Sequence, residues 1–167
     1  MKPFRLAAGL ALAVLGSLGL GTLGLPAGPD LLLLPVADAA RGGAAVLAMG
    51  TGFVAGLLED LLVVPGRLLG LHAFTKVLAG YALATLGARI VVQKPLAVGG
   101  ALATVVLLEA GARSGLLWVL TGDPLFPSSG LLLLRAGSTG LLGALLHALA
   151  RFPWRERWEA RRRMRLS

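Results

Sequence analysis

Residues Gly50 to His72 read GTGFVAGLLEDLLVVPGRLLGLH. A glycine-rich apolar run leads into two adjacent acids, Glu59 and Asp60. A Pro65-Gly66 turn follows, and a second apolar segment begins. An uninterrupted apolar run closed by Pro-Gly is a helix that ends at a turn. Gly52 and Gly56 are four residues apart, so they share a face and leave it smooth for close approach of another helix. A charge inside a lipid-spanning helix costs about 2.5–3.5 kcal/mol on insertion scales unless it is paired or wet. The two acids are therefore the first place to look for function.

The whole chain has the character of this stretch. It is 167 residues long, 56% hydrophobic and 14% charged, with a mean hydropathy of +0.82. A soluble domain carries roughly 25% charged residues. The deficit and the long apolar runs predict an all-α, polytopic membrane protein. Without cysteine, disulfides and thiolate metal sites are excluded. The net charge is +8, and seven of the 16 basic residues lie between Arg151 and Arg165. Beside membrane spans such a cluster marks the cytoplasmic side rather than a nucleic-acid surface.

Working outward, six spans are expected. The first runs from Leu6 to about Leu25 after the basic start MKPFR; it is longer than a signal-peptide core and is read as retained. Leu25-Pro-Ala-Gly-Pro-Asp30 is a turn. LLLLPVADAA then supplies only ten residues before Arg41, short of the roughly 20 a crossing needs. This segment either borrows turn residues or lies buried among longer helices. Asp38 near its inner end is read as wet. The third span covers Ala44 to about Leu62, the fourth Leu71 to about Ile90, the fifth Leu96 to about Leu120 and the sixth Gly130 to about Phe152. Residues 1–152 thus form one transmembrane domain and 153–167 a basic tail. In the tail Trp154 and Trp158 share a helix face, and Arg161, Arg162 and Arg163 follow, a pattern that suits an interfacial helix on anionic lipid.

Six spans put both termini on one side. On that side lie Lys2, Arg5, Arg41, Arg89, Lys94 and the seven tail arginines, twelve in all, against Arg67 alone on the other. The asymmetry predicts cytoplasmic termini. Lys76, Arg113 and Arg135 remain within spans, as do Glu59, Asp60 and Glu109. Asp60 and Lys76 stand at matching depth near the outer ends of adjacent spans, and a pair between them is expected. Glu109, nearest mid-membrane, is four residues before Arg113 on the same face. Three readings of these six charges stand open: an outward polar cavity or docking site for a partner helix, a set of ion pairs that fixes helix register, or a proton or ion relay centred on Glu109. His72 reads as a capping or interfacial residue. His147 lacks a histidine or carboxylate nearby in sequence, so no metal site is identified. Ser128 and Ser129 share a loop with Asp123 but without a G-x-S-x-G elbow, and no catalytic residues are assigned.

The pattern resembles the rod shape-determining MreD family of bacteria. The features are Pro29-Asp30 before a leucine run, Gly52-Phe-Val-Ala-Gly56-Leu-Leu-Glu-Asp60, the Pro-Gly loop, Gly70-Leu-His-Ala73 and Gly80-Tyr81. The likeness is concentrated in residues 29–81; the second half matches in hydropathy alone. The resemblance implies a fold similar to the substrate-binding subunits of energy-coupling-factor transporters. It implies a non-catalytic role, without cofactor, in the cell elongation complex of the inner membrane. Implied partners are the bitopic protein MreC, the MreB filament, and RodA with its penicillin-binding transpeptidase. It places Asp60 at a family-matching position. The alternative is a solute-binding subunit of a vitamin or metal transporter of the energy-coupling-factor type. That reading predicts an outer pocket with aromatic stacking groups and a lid, whereas Tyr81 is the sole tyrosine.

Overall fold

The computed structural model describes residues 3–23, 28–41, 43–63, 69–89, 94–122 and 128–151. Among the described residues there are six helices and no strand: α1 (Pro3–Thr22), α2 (Leu33–Ala40), α3 (Ala45–Val63), α4 (Leu71–Arg89), α5 (Pro95–Thr121) and α6 (Ser129–Arg151). Helices satisfy every interior backbone group within one segment, which is what hydrocarbon demands of a spanning chain. Four of them, α1, α3, α5 and α6, are long and apolar enough to cross a membrane. The chain is a membrane-embedded helical protein.

The expected count of six crossings meets this picture unevenly. α4 has 19 residues, about 28 Å at 1.5 Å per residue, but His72, Thr75 and Lys76 lower its hydropathy. α2 has eight residues, about 12 Å, too short to cross alone. It takes the second course open to it and lies buried, with Leu33, Val36 and Ala39 fully enclosed. It runs back along α1. Gly16 faces Leu31, Gly9 faces Pro35, and Arg5 reaches Asp38. The return path beside α1 is thus an unwound stretch followed by a half-helix. Asp30 consequently lies deep in the bundle, not at its surface.

Faces are assigned inside out relative to a soluble bundle. On α4, Phe74, Leu78 and Tyr81 are exposed, while Thr75, Lys76 and Ala79 are buried. On α3, Phe53, Val54 and Leu61 are exposed, whereas Ala48, Thr51, Ala55 and Glu59 are buried. Large apolar groups gain nothing by leaving lipid, so helices associate through small residues and polar bonds. A Cβ on Gly52 would strike the Lys76 carbonyl, and one on Gly56 would strike Ala73 and the His72 carbonyl. Across the second hairpin, a Cβ on Gly99 or Gly140 would lie 2.7 Å from the other's carbonyl oxygen. Backbone contact at these glycines brings α3 against α4 and α5 against α6. α5 starts on Pro95 and ends at Gly122, whose φ of 76° suits glycine and whose N–H reaches the Trp118 carbonyl.

Candidate functional site: a buried charge cluster

The site begins where α3 ends and α4 starts. The first N–H groups of a helix have no intrahelical acceptor, and in a lipid-embedded bundle water does not replace one. Asp60 supplies the acceptor from ten residues upstream. Its Oδ2 accepts from the N–H of Gly70 at 2.8 Å and of Ala73 at 3.3 Å. Its Oδ1 accepts from the N–H of His72 at 3.2 Å and lies 2.7 Å from His72 Nδ1. A carboxylate at the positive end of the α4 dipole is also favoured electrostatically.

The neighbours of His72 fix its tautomer. A carboxylate only accepts, so Nδ1 carries the proton given to Asp60. Nε2 lies 3.1 Å from Arg113 Nη1; a guanidinium only donates, so Nε2 accepts. Nε2 is also 4.0 Å from Glu59 Oε1. The His72 ring therefore connects the α4 cap to a second, deeper set of charges.

Lys76 is the hub of that set. It is completely buried. Its Nζ lies 2.7 Å from Asp30 Oδ2, 3.0 Å from Glu59 Oε2 and 3.2 Å from Glu109 Oε1. Arg135 Nη2 closes the group at 3.0 Å from Asp30 Oδ2 and 3.2 Å from Glu59 Oε1. Five elements thus meet: the start of α2 and helices α3, α4, α5 and α6. The unwound stretch before α2 would leave polar backbone bare, and Thr139 prevents this. Its hydroxyl accepts the Asp30 N–H at 2.8 Å and donates to the Arg135 carbonyl at 2.7 Å. Asp30 Oδ1 in turn accepts the Leu33 N–H at 3.3 Å, capping the first turn of α2.

Three carboxylates face two cations, so the set carries one surplus negative charge when fully ionised. Asp30, Glu59 and Glu109 each place an oxygen within 4.8 Å of the others, a donor set that suits a hard cation. The Lys76 ammonium already stands among these oxygens at hydrogen-bond distance. The arrangement joins helices electrostatically.

The structure corrects several pairings. Lys76 meets Asp30, Glu59 and Glu109 rather than Asp60, because Asp60 is turned toward the first turn of α4. Glu109 reaches Lys76, and Arg113 reaches His72, from the same face of α5. His72 is buried, not interfacial, and its backbone is capped rather than capping. Asp38 is paired rather than wet, 3.5 Å from Arg5 and 3.3 Å from Arg41. Asp30, absent from the expected set, sits at its centre. The available signal was the shortness of the leucine run after Pro29-Asp30. A segment too short to cross starts within the bundle, and the residue just before it starts there too. Trp154, Trp158, Arg161, Arg162 and Arg163 lie outside the described residues.

No protein-family model, curated protein or solved structure matches the chain.

Proposed function

We propose that the protein is a non-catalytic scaffold of the bacterial cell elongation complex in the cytoplasmic membrane, with both termini cytoplasmic. In this role it binds a single-span partner of the MreC type. Through that partner it connects the MreB filament with RodA and its transpeptidase. The observation that carries the reading is the internal pairing of the intramembrane charges. Glu59, Lys76, Glu109 and Arg135 meet one another and Asp30. The chain therefore offers a partner a rigid body with apolar sides such as Phe74, Leu78 and Tyr81. Such a surface suits another membrane helix. The resemblance on which the role rests also falls on the residues that build this body: Asp30, Gly52, Gly56, Glu59, Asp60 and His72.

The solute-binding alternative is less well supported. Tyr81 is 53% exposed on the outside of α4. The outer ends of α3 and α4 are tied together by Asp60.

Affinity purification of the full chain in mild detergent tests the role. A bitopic protein, with the filament and a wall synthase, is expected among the co-purifying proteins. Recovery of an ATPase pair in their place would establish the transporter reading. Orientation is read separately with reporter fusions. A cytoplasmic signal at Ser167 and an external one at Pro127 are expected, and an external signal at Ser167 would refute the topology.

A further inference from the structure

The end of the molecule opposite the charge cluster holds a cavity of about 980 Å³. This lies near the top of the roughly 300–1,000 Å³ range of small-molecule sites. Five helices contribute to its wall, with Leu12 from α1, Leu34 from α2, Leu83 from α4, Val98 from α5 and Leu146 from α6. Apart from the rim and His147 the wall is hydrocarbon, so water gains few partners there. In a bilayer the medium at hand to fill it is an acyl chain.

The rim is different in character. Arg5, Asp38 and Arg41 line the cavity where α1 begins and α2 ends. Both guanidinium groups lean on the same oxygen, Asp38 Oδ1, at 3.5 and 3.3 Å. Two cations share one carboxylate, so one positive charge is left over. The Arg5 and Arg41 side chains are 66% and 48% exposed, whereas that of Asp38 is 20% exposed. Guanidinium forks match phosphate oxygens bidentately and hold them more firmly than a neutral donor does. An apolar chamber with a net positive, exposed arginine rim fits one kind of molecule, an amphiphile with a hydrocarbon tail and an anionic phosphate head.

We infer that this cavity is a binding site for an anionic glycerophospholipid, with an acyl chain inside and the phosphate on Arg5 and Arg41. The site differs from any surface attraction exerted by the tail arginines, because it has a shaped interior. It is also independent of the elongation role, since it depends on the rim and the wall alone.

The test uses the full chain, purified in mild detergent and stripped of lipid, with the seven arginines between Arg151 and Arg165 changed to Gln to silence the tail. Binding is followed by native mass spectrometry and thermal unfolding. The probes are phosphatidylglycerol, phosphatidylcholine with the same chains, and soluble glycerol 3-phosphate. Phosphatidylglycerol is expected to bind at least about tenfold more tightly than phosphatidylcholine, because the choline ammonium offsets the phosphate charge and is itself repelled by the net positive rim. Glycerol 3-phosphate is expected to raise the unfolding temperature little. Arg5→Gln with Arg41→Gln should abolish the preference between the two lipids. Asp38→Asn, which releases both arginines, should increase it; this opposite sign keeps the test decisive if the double variant folds poorly. Ala101→Phe narrows the chamber without touching the rim charges and should weaken both lipids. Equal affinity for the two lipids overturns the site. So does a preference that survives loss of both arginines, or glycerol 3-phosphate acting as strongly as the lipid. Loss of a co-purifying bitopic protein in Ala101→Phe, with lipid binding unchanged, would assign the chamber to a helix instead.

Discussion

Replacing Lys76 by methionine is expected to destabilise the protein more than any other single change in the charge cluster. Methionine keeps the length and most of the volume of lysine, so the change removes charge without opening a cavity. Asp30 and Glu59 then keep Arg135, while Glu109 loses its contact with the Lys76 ammonium. Breaking a buried ion pair by removing one partner costs about 3–5 kcal/mol, because the stranded charge stays desolvated. The expected result is a marked drop in the unfolding temperature of the purified protein in mild detergent. Glu109→Gln should behave in the opposite way. It turns three carboxylates against two cations into two against two, so alone it should be close to neutral or stabilising. In the Lys76→Met background it should restore a substantial part of the loss. A coupling of about 0.5–3 kcal/mol is the range for residues in one network. Additive effects of Lys76→Met and Glu109→Gln would show that the 3.2 Å contact between them carries no energy.

Much of this architecture is legible in the sequence, and the missing part has a geometric cause. Helix limits follow from apolar runs punctuated by Pro and Gly. The expected third, fourth, fifth and sixth spans agree with α3 to α6 within about two residues, inside the usual disagreement over helix ends. The small-residue face at Gly52 and Gly56 is legible for the same reason, since a four-residue spacing fixes a common face. Side-chain azimuth is harder. Glu59 and Asp60 are adjacent, so they point about 100° apart around α3. Matching depth with Lys76 therefore holds for both, yet only Glu59 faces it. Asp60 faces sideways to the start of α4. Asp30 is harder to place for a different reason: it closes the Leu25-Pro-Ala-Gly-Pro-Asp30 turn, and no periodic pattern around it marks its depth. Asp30 is buried just before the eight-residue α2, and Thr139 makes that depth tolerable by satisfying the Asp30 N–H.

Asp60→Ala is expected to produce the second large effect, and one of a different kind. The carboxylate accepts from three backbone N–H groups and the His72 ring. Alanine leaves them without an acceptor, and each buried unsatisfied group costs about 1–3 kcal/mol. Relaxation of the first turn of α4 would reduce the sum, so a loss of a few kcal/mol is expected. Hydrogen exchange gives the diagnostic readout. Amides of Gly70, His72 and Ala73 should lose protection first, while those of the α5–α6 pair keep theirs. Asp60→Asn retains one acceptor oxygen and should fall between wild type and Asp60→Ala. The decisive comparison joins both sites. If Asp60 were the partner of Lys76, neutralising both would recover stability lost by either change alone. The structure gives them separate direct partners, with His72 as the link between the two sets, so the Asp60→Asn, Lys76→Met double variant should recover none of the loss of either change. Recovery in the double variant would mean that Asp60 stabilises the Lys76 charge and that its role as the cap of α4 is secondary.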